Sequence, residues 1–115
     1  IWSDGNESSL LFLIPQDIEN RSLTIGLFLR AFVTPTHPTQ KVEFFVNDNL
    51  LRTEIFNQSS LKIVRLNIPS RMINEKSLKV TMKFMNPISP RKLGLGNDER
   101  QIAIGIESAL IEYQK

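Results

Sequence analysis

The stretch Asn86-Pro87-Ile88-Ser89-Pro90-Arg91-Lys92-Leu93-Gly94-Leu95-Gly96-Asn97-Asp98-Glu99-Arg100-Gln101-Ile102-Ala103-Ile104-Gly105-Ile106-Glu107-Ser108-Ala109-Leu110-Ile111-Glu112-Tyr113 decides the fold. Its first half carries Pro87, Pro90, Gly94 and Gly96, which rule out one continuous helix or strand. Its second half sets Ile102, Ile104 and Ile106 against Ala103, Gly105 and Glu107, the period-two pattern of a strand with one buried face and small residues opposite. A covering loop that runs into a closing strand is the ending of an all-β domain.

The same alternation recurs upstream. Leu10, Phe12 and Ile14 alternate before Pro15. Leu23, Ile25, Leu27, Leu29, Ala31 and Val33 form the longest pattern, and Phe28 and Phe32 make its other side apolar, as in a central strand. Val42, Phe44 and Val46 lead into Asn47-Asp48-Asn49, residues that tolerate positive φ in a hairpin turn, with Leu50 to Phe56 as the return strand. Leu61 and Ile63 precede Val64, Leu66 and Ile68, and then Leu78, Val80, Met82 and Phe84 alternate with Lys79, Thr81 and Lys83. Short strands separated by turn chemistry predict an all-β fold with one or two short helical turns.

Two segments resemble each other. Phe12-Leu13-Ile14-Pro15 leads through a polar stretch containing Ile18 to Ser22-Leu23-Thr24-Ile25, and Leu66-Asn67-Ile68-Pro69 leads past Met72 and Ile73 to Ser77-Leu78-Lys79-Val80. Each reads as strand, Ile-Pro, one helical turn, strand, with proline ending the strand and presetting φ for the turn. Pseudo-symmetric crossovers between two sheets are one explanation; coincidence in a short chain is the other.

At 115 residues the chain has the length of one domain, 1–115, with enough material for a core. It starts at Ile1-Trp2 without methionine and stops after a strand, which reads as a domain excised from a longer protein. The longest apolar run, Leu10 to Pro15, is far below the roughly 20 residues of a membrane span, so no direct membrane insertion by this segment is expected. A net charge of +2 without runs of like charge lacks the clustered basic footprint of a nucleic-acid binder. With no cysteine, disulfides and thiolate metal sites are excluded.

A catalytic set is hard to assemble. His37 is the single histidine and lies between prolines, so a histidine pair for metal or a relay through a second histidine is excluded. Asp17 with Glu19 and Asp98 with Glu99 lie in polar connections, where solvated acids are the default. Gly94-Leu95-Gly96 leads into a strand instead of a helix N-terminus, which argues against a phosphate cradle. The two glycines permit positive φ, and Asp98 with Arg100 is placed to tie the loop to the strand start. Gly105 marks a bulge or a close approach by a neighbouring group. No catalytic residue, metal site or cofactor is expected.

Flat rings hold sugars by stacking, with amides and carboxylates supplying hydrogen bonds. Trp2, Phe28, Phe32, Phe45 and Tyr113 are the rings to consider. Strand phenylalanines belong to cores, which leaves Trp2 and Tyr113 as ligand-binding candidates, although Trp2 serves equally well as a plug for the sandwich end. The sequons at Asn6, Asn20 and Asn57 carry no weight in an asparagine-rich chain. Lys79, Lys83, Arg91, Lys92 and Arg100 form a basic surface if the sheet gathers them, and otherwise a solvated face.

Taken together, Trp2-Ser3-Asp4-Gly5, the Leu10-to-Pro15 strand, the Val46-Asn47-Asp48 hairpin and the ending from Ser89 through Arg100 to Gly105-Ile106 resemble a bacterial accessory domain of uncharacterised function. That domain sits at the C-terminal end of membrane glycosyltransferases and phosphoglycerol-transferase-like proteins. The resemblance implies a two-sheet, jelly-roll-like β-sandwich akin to carbohydrate-binding modules on the periplasmic side of a bacterial inner membrane, and it offers no catalytic residues to carry over. This chain uses lysine and asparagine where that family favours arginine, which leaves the fold expectation unaffected. The resulting expectation is a non-catalytic accessory domain that contacts glycan in envelope polysaccharide assembly. The alternative is a structural or docking module, held against the parent protein's membrane domain, with no sugar binding.

Overall fold

A computed structural model of the chain describes residues 1–14, 22–73 and 77–113. Seven strands fill it: β1 Glu7–Leu13, β2 Leu23–Ala31, β3 Gln40–Val46, β4 Asn49–Phe56, β5 Lys62–Ile68, β6 Ser77–Phe84 and β7 Ile104–Tyr113. They form a four-stranded sheet in the order β1-β6-β3-β4 and a three-stranded sheet in the order β5-β2-β7, with every neighbour antiparallel. The architecture is the expected all-β sandwich, and β2 is the centre of its sheet.

Alternation fixes which side of each strand is dry. Leu23, Ile25, Leu27 and Leu29 of β2 face Val42, Phe44 and Val46 of β3 and Leu78, Val80 and Met82 of β6 within one buried cluster. Each such side chain contributes about 1.5–3 kcal/mol by leaving water, so this layer dominates the stability. The outer face of the four-stranded sheet carries the other set: Glu7, Ser9 and Leu11 on β1, Lys79, Thr81 and Lys83 on β6, and Phe45 on β3.

The paired crossovers have a structural counterpart. β1 and β5 each end where the chain passes to the opposite sheet, and the register pairs Leu13 with Ser77 and Leu23 with Ile68, so the strand ends that flank both passages are neighbours at one end of the sandwich. In the second, Pro69 precedes one 3-10 turn, Ser70–Met72. The helical turn expected in the first falls at 15–21, outside the described residues.

Two boundaries differ from expectation. Asn49 belongs to β4 and the hairpin turn is the pair Asn47-Asp48, with φ of 47° and 70°, the type I′ geometry whose twist suits two tightly joined strands. The closing strand starts at Ile104 instead of Ile102, which makes an isolated bridge to Ile88. Nor is the second side of this strand open: Ala103 and Gly105 are buried, because the N-terminal segment covers them.

Candidate functional site

Trp2 is placed by a backbone clasp. Residues 1–5 run antiparallel to 101–106: Ile106 N–H donates to Ile1 O at 2.9 Å, Ser3 N–H to Ile104 O at 2.8 Å, and Gly5 N–H to Gln101 O at 2.9 Å. Buried Ser3 Oγ accepts from the N–H groups of Ala103 and Ile104 at 3.2 and 3.0 Å, and Asp4 Oδ1 accepts from Gln101 N–H at 2.9 Å. The indole then lies across Gly105 and meets the Phe32 ring edge-on, with centroids 6.2 Å apart. Gly105 is therefore a close-approach site whose visitor is an aromatic ring. A bulge also occurs in β7, where the pairing passes from Phe28–Ser108 to Leu29–Ile106 and leaves Glu107 as the extra residue, salt-bridged to Arg30 at 3.0 Å.

Tyr113 pairs with Leu23 at the other end of β7. Eight residues of strand separate it from Gly105, roughly 26 Å. Trp2 and Tyr113 thus belong to no common site.

The 86–100 loop is held by itself. Ile88 and Ile102 exchange backbone bonds at 3.0 Å, and Arg91 N–H donates to Asp98 O at 2.9 Å. Buried Ser89 caps the following turn, its Oγ accepting from Lys92 N–H at 3.1 Å. Gly94 and Gly96 take φ of 74° and 147°, which side-chain-bearing residues avoid. Arg100 grips both oxygens of Asp98 and Arg91 pairs with Glu99. The Arg100 guanidinium, with its backbone N–H, holds the Asp98 carboxyl below the usual carboxylate range, and Asp98 raises Arg100 in return. His37 Nε2 donates to Asn86 O at 2.7 Å, a link between two loops. Arg91 and Arg100 are occupied by carboxylates, while Lys79 and Lys83 share the outer face of β6. The five residues weighed as a basic surface therefore divide between a self-paired loop and a sheet face.

A broad cleft opens at the opposite end, where the hairpin turn meets the second crossover. It encloses about 780 Å³ and is lined by Leu11, Asn47, Asp48, Asn49, Leu50, Leu51, Arg71, Met72, Ser77 and Lys79. Asn47 organises it: its Oδ1 accepts from Lys79 N–H at 2.9 Å, its backbone N–H donates to Lys79 O at 2.9 Å, and its Nδ2 donates to Met72 O at 3.3 Å. One turn residue thereby holds both β6 and the 3-10 turn. A smaller hollow of about 140 Å³ continues the cleft across the sheet, sharing Asp48 and Lys79 and adding Glu7, Phe45, Thr81 and Lys83. Lys83 Nζ rests 4.6 Å from the centroid of the Phe45 ring.

Chemically the cleft mixes amides, one carboxylate, two cations and leucine side chains, a set suited to binding hydroxyl-rich ligands with apolar ring faces. Among the described residues no group of three or more His, Asp or Glu is placed to hold a metal. Sequence reading marked Asn47, Asp48 and Asn49 as a turn and Lys79 as surface charge, but Arg71 and Leu50 carried no signal of a site, because the cleft is assembled from four separate segments.

No known family model matches the chain, and no curated protein matches it in sequence. Similar folds do exist. The dimeric latent PorU of Porphyromonas gingivalis superposes with a TM-score of 0.58 at 13% identity, over 96% of this chain and 10% of that one. The carbohydrate-binding module CBM36, in complex with calcium and xylotriose, superposes with a TM-score of 0.52 at 11% identity, over 99% of this chain and 77% of that one. The chain therefore spans about a tenth of the PorU chain and most of the module. It is a small all-β domain whose fold resembles that of a carbohydrate-binding module.

Proposed function

We propose that this domain is a non-catalytic module that contacts glycan in the cleft beside the Asn47-Asp48 turn. The carrying observation is that cleft: side-chain amides and a carboxylate beside exposed Leu11 and Leu50, on a scaffold like that of a carbohydrate-binding module. Trp2 spends one ring face on Gly105 and stays 38% exposed, so it supports the sandwich end and is a secondary contact at most. A single domain attached to a membrane-bound transferase on the periplasmic side of a bacterial inner membrane is the setting that the sequence resemblance supports. A glycan array tests the reading. Retention of one glycan class that is lost in Asp48→Ala supports it, and no retention of any envelope or plant glycan refutes it.

Docking is the second reading, favoured by Leu11 and Leu13 of β1, which are 67% and 78% exposed on a sheet edge. Here the parent protein's remaining chain is the partner, no sugar is bound, and Leu13→Asp weakens the attachment.

A further inference from the structure

We infer that the saccharide held in this cleft is acidic, with carboxylate-bearing rings of the uronic acid type; this rests on the glycan reading above. Arg71 and Lys79 both line the cleft, and no carboxylate among the described residues lies within salt-bridge distance of either. Four of the other described arginines find carboxylates: Arg30 holds Glu107, Arg52 holds Glu54, Arg91 holds Glu99 and Arg100 holds Asp98, while Arg65, outside the cleft, has none within salt-bridge distance. Among the described residues, then, nothing neutralises Arg71 and Lys79, and both are available to an outside anion.

Both cations hang from one support. The Asn47 side chain fixes the carbonyl of Met72, next to Arg71, and the backbone of Lys79. Their main-chain positions are thus set before a ligand arrives, which lowers the ordering cost of a two-point grip on a carboxylate. Leu11 and Leu50 offer apolar surface for the C–H faces of a ring, and Asp48 accepts from hydroxyl groups. Asp48 also opposes a densely charged chain: against Arg71 and Lys79 it leaves an excess of one positive charge, which suits alternating hydroxyl and carboxylate groups better than a phosphate polymer. Lys83, over Phe45 in the adjoining hollow, extends the same chemistry along the sheet.

Calorimetry with oligomers of galacturonate, glucuronate and mannuronate, each beside its methyl ester, tests the inference on the unaltered protein. At least one acid should bind about tenfold more tightly than its ester, the worth of one charge-assisted contact, and weaken as salt rises. Arg71→Gln and Lys79→Gln should each remove about that factor, while Lys92→Gln, in the far loop, changes nothing. Equal binding of acid and ester overturns the acidic preference and leaves the glycan reading standing. Absence of binding by every saccharide, these and neutral ones alike, overturns both. A polyglutamate peptide that binds as well as the best acid overturns the saccharide assignment in favour of a general anion site.

Discussion

The indole of Trp2 lies so close over Gly105 that a methyl group added there would sit 3.1 Å from Trp2 Cε3. The two residues are far apart in sequence, yet this contact seals the end of the sandwich. Gly105→Ala pushes the ring outward, and overpacking at a site where the neighbour can tilt costs about 1 kcal/mol. Thermal unfolding should show a melting point lower by roughly 4 °C, with the Trp2 fluorescence shifted to the red. An unchanged melt and spectrum would mean that the ring does not rest there.

Ser3 is the stronger point of the same clasp. Its hydroxyl oxygen accepts from two backbone N–H groups in the interior, so Ser3→Ala leaves them short of an acceptor and destabilises the domain by about 2 kcal/mol. Denaturant unfolding measures this, and amide exchange at Ala103 and Ile104 should accelerate in the variant. If exchange there is unaltered, the clasp is not what protects these amides.

Asn47→Gly separates the turn from the site. Glycine adopts positive φ freely, so the hairpin persists, while the side-chain bonds to Lys79 N–H and Met72 O disappear. Stability should fall by about 1–2 kcal/mol, and cleft binding should fall more than the stability loss alone would cause. A variant with full affinity would show that Asn47 does not organise the cleft.

Acid weakens two ion pairs. Burial opposes ionisation of Glu54, but bonds from Lys62 and Arg52 outweigh it and hold the carboxyl below its ordinary 4.5. Arg100 holds Asp98 below its ordinary 3.8. A folded-state value beneath the unfolded one means that the stabilisation is complete above the ordinary value and vanishes as pH falls through the depressed one. Unfolding free energy should therefore drop below about pH 4.5, and less steeply in Glu54→Gln and Asp98→Asn. Carboxyl NMR titrations with midpoints at or above the ordinary values would contradict this.

How far the chain could be read depended on the range of the signal. The strands were legible because one-sided burial writes itself as alternation, as in Leu78, Val80, Met82 and Phe84, and the Asn47-Asp48 turn because few residues accept its backbone. Gly105 announced a close neighbour without naming Trp2, since a pairing between opposite ends of a chain leaves no local pattern. The clasp by Ser3 was invisible for the same reason, and it is also why the small residues Ala103 and Gly105 are buried. Trp2 and Tyr113 drew attention as flat rings, a local property, whereas a binding cleft is a non-local one. Leu11, Asn47, Leu50, Arg71 and Lys79 come from β1, the hairpin, the 3-10 turn and β6, and only the register of the sheet brings them to one place.

The decisive measurement is a backbone NMR titration of the domain with the glycan that it retains best. Shifts should concentrate at Asn47, Asp48, Asn49, Arg71 and Lys79 and spread toward Thr81 and Lys83, leaving residues 86–100 still. Shifts confined to Trp2 and its surroundings, or to the 86–100 loop, would contradict a glycan site in the cleft.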